Sequence, residues 1–439
     1  MPMASPSIEL SMIVKNGAAT LPRCLQSVAP CVDRMLVGDT GSSDASPEVC
    51  RALGAEVVRL PWEDDFARAR NRLLALATCD WVLVLDADEM LGGDAPAPVR
   101  EAVARRNIFG YDVWRWNYVR EAHSRGGEQA PIPNPGAVEA SRPYPAYVRT
   151  LNTRLFRRHP GVYWEHCVHE TVSGRLEQLG LARARAGFII HHFGQAEDAD
   201  EVRRSKNDLY LELGLRKVQS NPDDARACFE LGLAELEHRR RPAAALAWFE
   251  RACALEPTRA AAWLFAGVCR DRLGRPGEAM EKLRAARELG LDTPVLHEAM
   301  GDAHLHLAEY EAARAAYERA RGSGGVSPLN DAKLGATEVC LGLAEQGIGR
   351  MKQAVARSPR FAELYDILVA GALFGGDVRL AAEAAQARLE VGQPEERHFQ
   401  IAAELRAALA KGAKVSAPAA MARAQADRPW DPSALPRLD

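Results

Sequence analysis

Short apolar runs alternate with segments of helical spacing over the first 90 residues of the chain. The apolar runs predict strands at residues 8–14, 34–38, 57–60 and 81–85. The intervening segments predict helices, and the last of these opens at Asp64-Asp65 and carries apolar residues on one face as far as Leu76. Because strands that alternate with helices usually pair in parallel, we expect a Rossmann-like, mostly parallel α/β sheet.

Polar residues stand where three of these strands end. Asn16 follows the first strand, Asp39 ends the second, and Asp86 comes directly after the fourth. Ligands of open parallel sheets bind beyond the carboxyl ends of the strands. We therefore expect Asn16, Asp39 and Asp86 to face one ligand site.

The fourth strand runs into the acidic segment Asp86-Ala87-Asp88-Glu89. On an extended strand, residues two apart face the same side, so we expect the carboxylates of Asp86 and Asp88 to point together. Two such oxygen ligands suit Mg²⁺ or Mn²⁺ that bridges phosphates. Acidic loop residues at this spacing are also common, so the spacing alone leaves a solvated loop open.

The second half of the chain is helical and repetitive from about residue 200. Glycines recur inside apolar helices at intervals of 34 to 36 residues: Gly232, Gly267, Gly301, Gly335 and Gly371. Prolines recur with similar spacing, and we expect each to end the second helix of a unit: Pro222, Pro257, Pro294, Pro328, Pro359 and Pro394. Periods near 34 residues indicate about five tetratricopeptide units in an all-α solenoid, the fifth of them degenerate and able to act as a cap.

These patterns divide the chain into four parts. We expect a catalytic domain at 1–200, a linker helix at 201–221, repeats at 222–400 and a disordered tail at 410–439. The segment 119–148 is rich in Pro, Gly, Arg and Ser and lacks an apolar period, which indicates either a functional lid or disorder.

Composition narrows the function classes. With 56 basic and 59 acidic residues the formal net charge is −3, which gives no support for nucleic-acid binding. The nine cysteines are scattered without a CxxC pair, which favours buried thiols over a disulfide or zinc framework. No signal peptide or transmembrane segment is evident, so we expect a cytoplasmic protein, with peripheral association at the inner membrane left open.

Four ordered segments resemble the nucleotide-binding half of family 2 glycosyltransferases, which have the GT-A fold: SMIVKN (11–16), LVGDTGSSD (36–44), WEDDFARARN (62–71) and DWVLVLDADE (80–89). The resemblance is closest to a subgroup that includes lipopolysaccharide-core glucosyltransferases and bacteriocin S-glycosyltransferases, some of them fused to tetratricopeptide repeats. It implies an inverting, metal-dependent enzyme that uses a UDP-sugar donor. The Asn-Glu pair of the family is Asn16-Gly17 here, which leaves the role of position 17 in doubt.

The resemblance also implies roles for donor-binding residues. Asp39 would bind the uracil or ribose, and Arg70 the base or diphosphate. Asp86 would lie by the ribose and the metal, and Asp88 would ligate the metal directly. A helix-capping turn for Asp39 and a surface charge for Arg70 are the alternatives.

Two histidine-containing elements complete the resemblance. The segment YWEHCVHE (163–170) follows Arg154-Leu155-Phe156-Arg157, and Glu170 is our first choice for the general base, ahead of Glu165 and Glu89. His191-His192-Phe193-Gly194 resembles the element that closes these domains, and His192 would supply a third metal ligand. A histidine at the edge of the domain with no ligand is the alternative.

Three hypotheses follow. The first is a glycosyltransferase whose acceptor is a protein, a peptide or a cell-envelope glycan held by the repeats, with homo-oligomer formation left open. The second is an inactive scaffold that binds partners through its repeats. The third, a nucleotidyltransferase, lacks the Gly-rich basic loop expected after the first strand.

Overall fold

The computed structural model describes residues 5–120, 132–197, 200–322, 327–391 and 394–410 of the 439. The expected tail beyond residue 410 and residues 121–131 of the Pro- and Gly-rich segment lie outside the described residues. The chain divides into two compact units, of which the first contains the residues up to 120 and from 133 to 222. The second contains the residues from 223 onward.

The first unit is built on one sheet. Its strands are β1 (Ile8–Val14), β2 (Arg34–Asp39), β3 (Glu56–Arg59), β4 (Trp81–Val84), β5 (Glu89–Leu91), β6 (Gly110–Val119), β7 (Ile132–Pro133), β8 (Ala146–Arg157) and β9 (Arg183–His192). The strand order is β3-β2-β1-β4-β8-β6-β9-β5, with β7 beside β8. β1 pairs in parallel with β2 and β4, and β2 with β3, so the expected parallel pairing holds for the first four strands.

Beyond β4 the sheet is mixed rather than parallel. β8 pairs antiparallel with both β4 and β6, and β5 pairs antiparallel with β9, whereas β6 and β9 run in parallel. The parallel order ends at β4, because the second neighbour of β4 is β8, which runs antiparallel to it. The fold is therefore an α/β unit whose second half is a mixed sheet.

Helices cover the sheet of this unit. They are α1 (Leu21–Val28), α2 (Ser46–Ala52), α3 (Phe66–Leu74), α4 (Pro96–Ala104), α5 (Ser173–Gln178), α6 (Gly194–Glu197) and α7 (Asp200–Ser220). α3 begins where Asp65 accepts a hydrogen bond from the Arg68 amide at 2.8 Å, which satisfies one free N–H of the first turn. Burial of β1, β4 and the inner faces of α1 and α4 forms the main core of the unit.

Several element boundaries differ from the expectations. The sequence also predicts strand-like stretches at 153–156 and 188–192, and in the structure these strands begin earlier, at Ala146 and Arg183. β6 was not predicted at all. α3 ends at Leu74, so Leu76, expected on its apolar face, lies beyond the helix and is 44% exposed.

The second unit is a series of antiparallel helix pairs. Its helices are α8 (Ala225–Glu237), α9 (Pro242–Leu255), α10 (Ala260–Arg272), α11 (Pro276–Glu288), α12 (Pro294–His306), α13 (Tyr310–Gly322), α14 (Pro328–Cys340), α15 (Ala344–Arg357), α16 (Ala362–Phe374), α17 (Val378–Arg388) and α18 (Glu396–Ala410). The recurring glycines lie in the first helix of each pair, as expected for tetratricopeptide repeats.

The prolines do not all end a helix. Pro257 and Pro359 follow α9 and α15, but Pro294 and Pro328 are the first residues of α12 and α14. Proline is suited to that position because its missing N–H would have no partner in the first turn. The expectation that each proline ends a second helix is therefore wrong for Pro294 and Pro328.

The cysteines carry no cross-link. All nine are free thiols, eight of them buried and Cys167 half-buried. Among the helices that the structure describes, none combines the length and the apolar character needed to cross a bilayer.

Candidate functional site

The acidic segment after β4 forms a turn rather than a continuation of the strand. β4 ends at Val84, and the Glu89 amide donates a hydrogen bond to the Asp86 carbonyl at 3.0 Å. The expectation that Asp86 and Asp88 point together from an extended strand is therefore wrong in its local geometry. The turn gives each carboxylate a different set of partners.

Asp86 lies between two arginines. Its Oδ1 accepts a hydrogen bond from Arg70 Nη2 at 2.7 Å, and its Oδ2 accepts one from Arg154 Nη2 at 3.2 Å. Burial alone would raise the pKa of the Asp86 carboxyl, but the charges of Arg154 and Arg70 outweigh burial and hold that pKa well below its usual range. Asp86 is therefore an anion that two cations hold in place.

Arg70 connects Asp86 to Glu170. Its Nε donates to Glu170 Oε1 at 2.6 Å, and its guanidinium lies 5.1 Å from the centre of the Trp164 ring. The side chain is only 4% exposed, and its Nη1 is a buried donor with no hydrogen-bond partner among the described residues. Arg70 is thus no surface charge, and a buried donor of this kind is suited to an incoming acceptor group.

Glu89 contacts Asp86 and two arginines of the same cluster. It is fully buried, and its Oε2 accepts the Asp86 amide at 2.8 Å. Its Oε1 accepts from Arg154 at 3.0 Å and from Arg115 at 3.3 Å. Since both oxygens already have donors, Glu89 fits a structural role better than that of a general base.

Asp88 faces His192 instead of the arginines. The Asp88 Oδ2 and His192 Nε2 atoms are 3.5 Å apart. Burial would raise the pKa of Asp88, but the neighbouring His192 outweighs burial and lowers that pKa. Two ligands bound at about 2.1 Å to one cation stand at a similar separation, so this pair is spaced for a shared divalent metal.

The hydrogen bonds of Asn117 orient the His192 ring. The Asn117 amide nitrogen donates to the Val148 carbonyl at 3.0 Å, which turns its Oδ1 toward His192 Nδ1 at 2.8 Å. Nδ1 then carries a proton, and Nε2 is the atom that faces Asp88: with a second proton it pairs with the carboxylate, and without that proton it can ligate a cation. A histidine held in this way by a second residue is the usual arrangement of a metal ligand.

Gly194 makes room for this pair. A Cβ at position 194 would lie 2.1 Å from Asp88 Oδ2 and 3.0 Å from His192 Nε2. The Phe193 amide also donates to the Asp88 carbonyl at 3.1 Å, which joins the end of β9 to the acidic turn. The preceding His191 has another role, because burial lowers the pKa of its imidazole to about 4 and its Nδ1 lies 2.8 Å from the Tyr118 hydroxyl.

Asn16 and Asp39 lie in the two loops that follow β1 and β2. Asn16 Oδ1 accepts the Ser43 amide at 2.8 Å, and Asp39 Oδ1 accepts the Ser42 amide at 3.0 Å. A Cβ on Gly17 would lie 3.1 Å from the Ala87 side chain, so the first loop adjoins the acidic turn. In this arrangement the side chains of Asn16 and Asp39 both accept backbone amides of the loop that follows β2.

Glu170 ends a short loop closed on itself. The backbone groups of Glu165 and Thr171 exchange two hydrogen bonds, and His166 and His169 inside the loop have positive φ angles of 72° and 54°. Such angles are costly for residues other than glycine and often mark functional loops. The closure separates Glu165, at the base of the loop, from Glu170, whose Oε1 reaches Arg70.

The structure therefore brings the expected residues together in three groups. Arg70, Asp86 and Glu170 form one ion-pair chain, Asp88 and His192 form the second group, and Asn16 and Asp39 form the third. Within the described residues no cluster of three or more His, Cys, Asp or Glu side chains is arranged to hold a metal. Asp88 and His192 still fit Mg²⁺ or Mn²⁺, because these cations take their remaining ligands from phosphates and water.

Sequence reasoning missed residues that lie far from the motifs. Arg115 and Asn117 are on β6, whose existence was not predicted, and Arg154 was noted only as part of a motif. The alternation of inward and outward residues in Tyr111-Asp112-Val113 would have been a usable signal for β6.

Comparison with known proteins identifies relatives of this chain. Residues 10–159 match the model of glycosyl transferase family 2. A TPR repeat-containing protein of Synechococcus elongatus is 32% identical over 237 residues, 52% of each chain. The prophage-derived glycosyltransferase SunS of Bacillus subtilis is 26% identical over 230 residues, 52% of this chain and 49% of SunS. The chain thus spans about half the length of these curated relatives.

The chain also resembles solved structures. YrrB, described as a TPR protein with an unusual peptide-binding site, is 17% identical, covers 44% of this chain and 98% of its own, and has a TM-score of 0.32. The pilus biogenesis factor PilW is 18% identical and has a TM-score of 0.38; the match covers 46% of this chain and 93% of PilW. The family match places a glycosyl transferase family 2 domain at residues 10–159 of this chain, and glycosyltransferases are among the relatives that it resembles.

Proposed function

We propose that the first unit is an inverting glycosyltransferase that uses a UDP-sugar and a divalent cation, Mn²⁺ or Mg²⁺. One observation carries the proposal. Asp88 and His192 stand 3.5 Å apart, with the His192 ring oriented by Asn117, next to the ion-pair chain of Asp86, Arg70 and Glu170. In this proposal Asp88 and His192 hold the cation, which would supply positive charge to the donor diphosphate.

The position of Arg70 supports a role in donor binding. Its Nη1 is buried and lacks a hydrogen-bond partner, while Asp86 and Glu170 hold its other nitrogens in place. A phosphate oxygen or a uracil carbonyl would satisfy that donor. Asn16 and Asp39, in the adjoining loops, would contact the uridine as the family resemblance implies.

Glu170 is suited to accept a proton from the acceptor. In an inverting transfer the acceptor atom bonds to C1 of the sugar while the bond from C1 to the diphosphate oxygen breaks, and its electron pair leaves with the diphosphate. The acceptor's proton must go to a base. Glu170 Oε1 is tied to Arg70, whereas Oε2 has no hydrogen-bond partner among the described residues, which leaves it for that proton.

The acceptor is proposed to be a protein, a peptide or a cell-envelope glycan. The helical repeats support this part of the proposal, since arrays of this kind offer extended binding surfaces. The free cysteines are in keeping with a reducing cytoplasm.

Metal-dependent release of UDP tests the proposed function. We expect the chain to release UDP from UDP-glucose or UDP-N-acetylglucosamine in the presence of Mn²⁺, by hydrolysis or by sugar transfer. Addition of EDTA should stop this release. Asp88→Ala should lose at least about a hundredfold in rate, because the diphosphate loses its cation. Glu48→Ala, which removes an exposed carboxylate on α2, should leave the rate unchanged.

Two results would oppose the proposal. Near-normal turnover in Asp88→Ala would remove the metal argument. Absence of both turnover and donor binding with every sugar nucleotide would favour an inactive scaffold that acts through its repeats.

A further inference from the structure

Helix α7 contacts the site through one of its faces. Lys206 Nζ lies 4.0 Å from Asp88 Oδ2, and one turn later the Tyr210 ring packs against two side chains of the site region. The ring centres of Tyr210 and Phe66 are 5.9 Å apart with an interplanar angle of 30°, and those of Tyr210 and His169 are 6.1 Å apart with an angle of 16°. Residues four apart share one face of a helix, so this face is turned toward the site.

A third contact fixes α7 further along. Arg216 Nη1 lies 2.8 Å from Asp64 Oδ2, in the segment that leads into α3. Phe66 is the first residue of α3, which also carries Arg70. The aromatic and ionic contacts therefore join α7 to the same helix that supplies a donor-site arginine.

The charges of the cluster show what Lys206 adds. Asp86 and Glu89 have their oxygens occupied by Arg70, Arg115 and Arg154. Asp88 is approached instead by His192 and Lys206, both at the same oxygen, Oδ2. Lys206 therefore adds a positive charge near Asp88 Oδ2, on the side of the cluster where the donor diphosphate is proposed to bind.

We propose that Lys206 binds the diphosphate of the donor and that Tyr210 positions the Lys206 side chain. This inference rests on the proposed function. When the bond from C1 to the diphosphate oxygen breaks, its electron pair remains on the diphosphate, whose negative charge increases by one. The Lys206 ammonium, with three N–H donors, neutralises that charge as it forms, and no proton has to move.

Binding of UDP tests the role of Lys206 without turnover. Isothermal titration of the full-length chain with UDP in the presence of Mn²⁺ should give a dissociation constant at least about tenfold higher for Lys206→Met than for the unaltered chain. Lys206→Arg should stay within about threefold, because it keeps the charge. Lys352→Met, which removes an exposed lysine of α15, is the matched control and should not change the constant.

Titration with uridine separates a phosphate contact from a general disturbance of the site. Uridine lacks phosphate, so Lys206→Met should bind it as the unaltered chain does. The inference is overturned if Lys206→Met binds UDP as the unaltered chain does, or if it binds uridine and UDP more weakly by the same factor. The proposed function stands in either case. If the unaltered chain binds no UDP, both fail.

Tyr210 is tested by conservative rescue. Tyr210→Ala should weaken UDP binding in the same direction as Lys206→Met, because the ring that packs against Phe66 and His169 is lost. Tyr210→Phe keeps the ring and should restore the affinity. If Tyr210→Phe binds as weakly as Tyr210→Ala, the ring does not position Lys206 and this part of the inference is wrong.

Discussion

Ion pairs between buried side chains determine the chemistry of single residues in this site. Arg154 Nη2 lies 3.2 Å from Asp86 Oδ2 and 3.0 Å from Glu89 Oε1. Burial alone would lower the pKa of Arg154, but these carboxylates outweigh burial and raise that pKa above its ordinary value. Separating such charges from water is costly, and only complete pairing offsets the cost. Each member of the cluster therefore depends on the others.

Replacing Arg154 tests this dependence. Arg154→Met should lower the free energy of unfolding of the first unit by about 3 kcal/mol, because two carboxylates lose a common partner. Arg100→Met, which breaks the more exposed pair with Asp33, should cost less than about 1 kcal/mol. Urea denaturation followed by tryptophan fluorescence measures both losses, and equal losses would contradict the argument.

The pH dependence of the same variant has a definite sign. The folded-state pKa of Asp86 is depressed, so its contribution to stability is present above the unfolded value of about 4 and is lost only as pH falls through the lower folded value. In Arg154→Met the folded pKa of Asp86 rises. The stability deficit of the variant should therefore be constant above its raised folded pKa and shrink as pH falls below that pKa, and a deficit that grows with acid would refute the ion-pair account.

At the level of elements, local pattern predicted what local interactions determine. β1, β2 and the helix opening at Asp65 follow from apolar runs and a capping residue, and the glycine period located the first helix of every pair. β6 and the full length of β8 were missed because their half-buried residues are stabilised by pairing with strands distant in sequence. Arg115, on β6, and Lys206, on α7, reach the acidic turn only through contacts between segments distant in sequence, so no motif could identify them.

Position 301 shows why the period contains glycine. A Cβ there would lie 2.6 Å from the Tyr317 ring, where α12 and α13 cross, whereas a Cβ on Gly349, inside α15, would meet nothing within 4 Å. Gly301→Ala should destabilise the second unit by about 1–3 kcal/mol through overpacking. Gly349→Ala should stabilise it by up to about 1 kcal/mol, because alanine favours the helix. Thermal unfolding compares the two, and a shift in the same direction for both would mean that packing does not explain the glycine.

At the scale of the whole molecule, each unit has its own core. The main cores of the first unit contain residues between Ile8 and Ile190, and the largest core of the second contains residues between Leu305 and Ala408. The residues of the proposed donor site all belong to the first unit, as does α7. A ligand that binds the donor site therefore contacts side chains of the first unit.

Separate cores predict separate unfolding transitions. Scanning calorimetry of the full-length chain should show two transitions, and UDP with Mn²⁺ should raise only the one assigned to the first unit. At a hundredfold excess over its dissociation constant, a ligand that binds only the folded state contributes about 2.7 kcal/mol, which is a shift of several degrees. Arg154→Met should lower the ligand-sensitive transition and Gly301→Ala the other one. A single transition that responds to both variants would mean that the two units unfold together and that the donor site draws stability from the repeats.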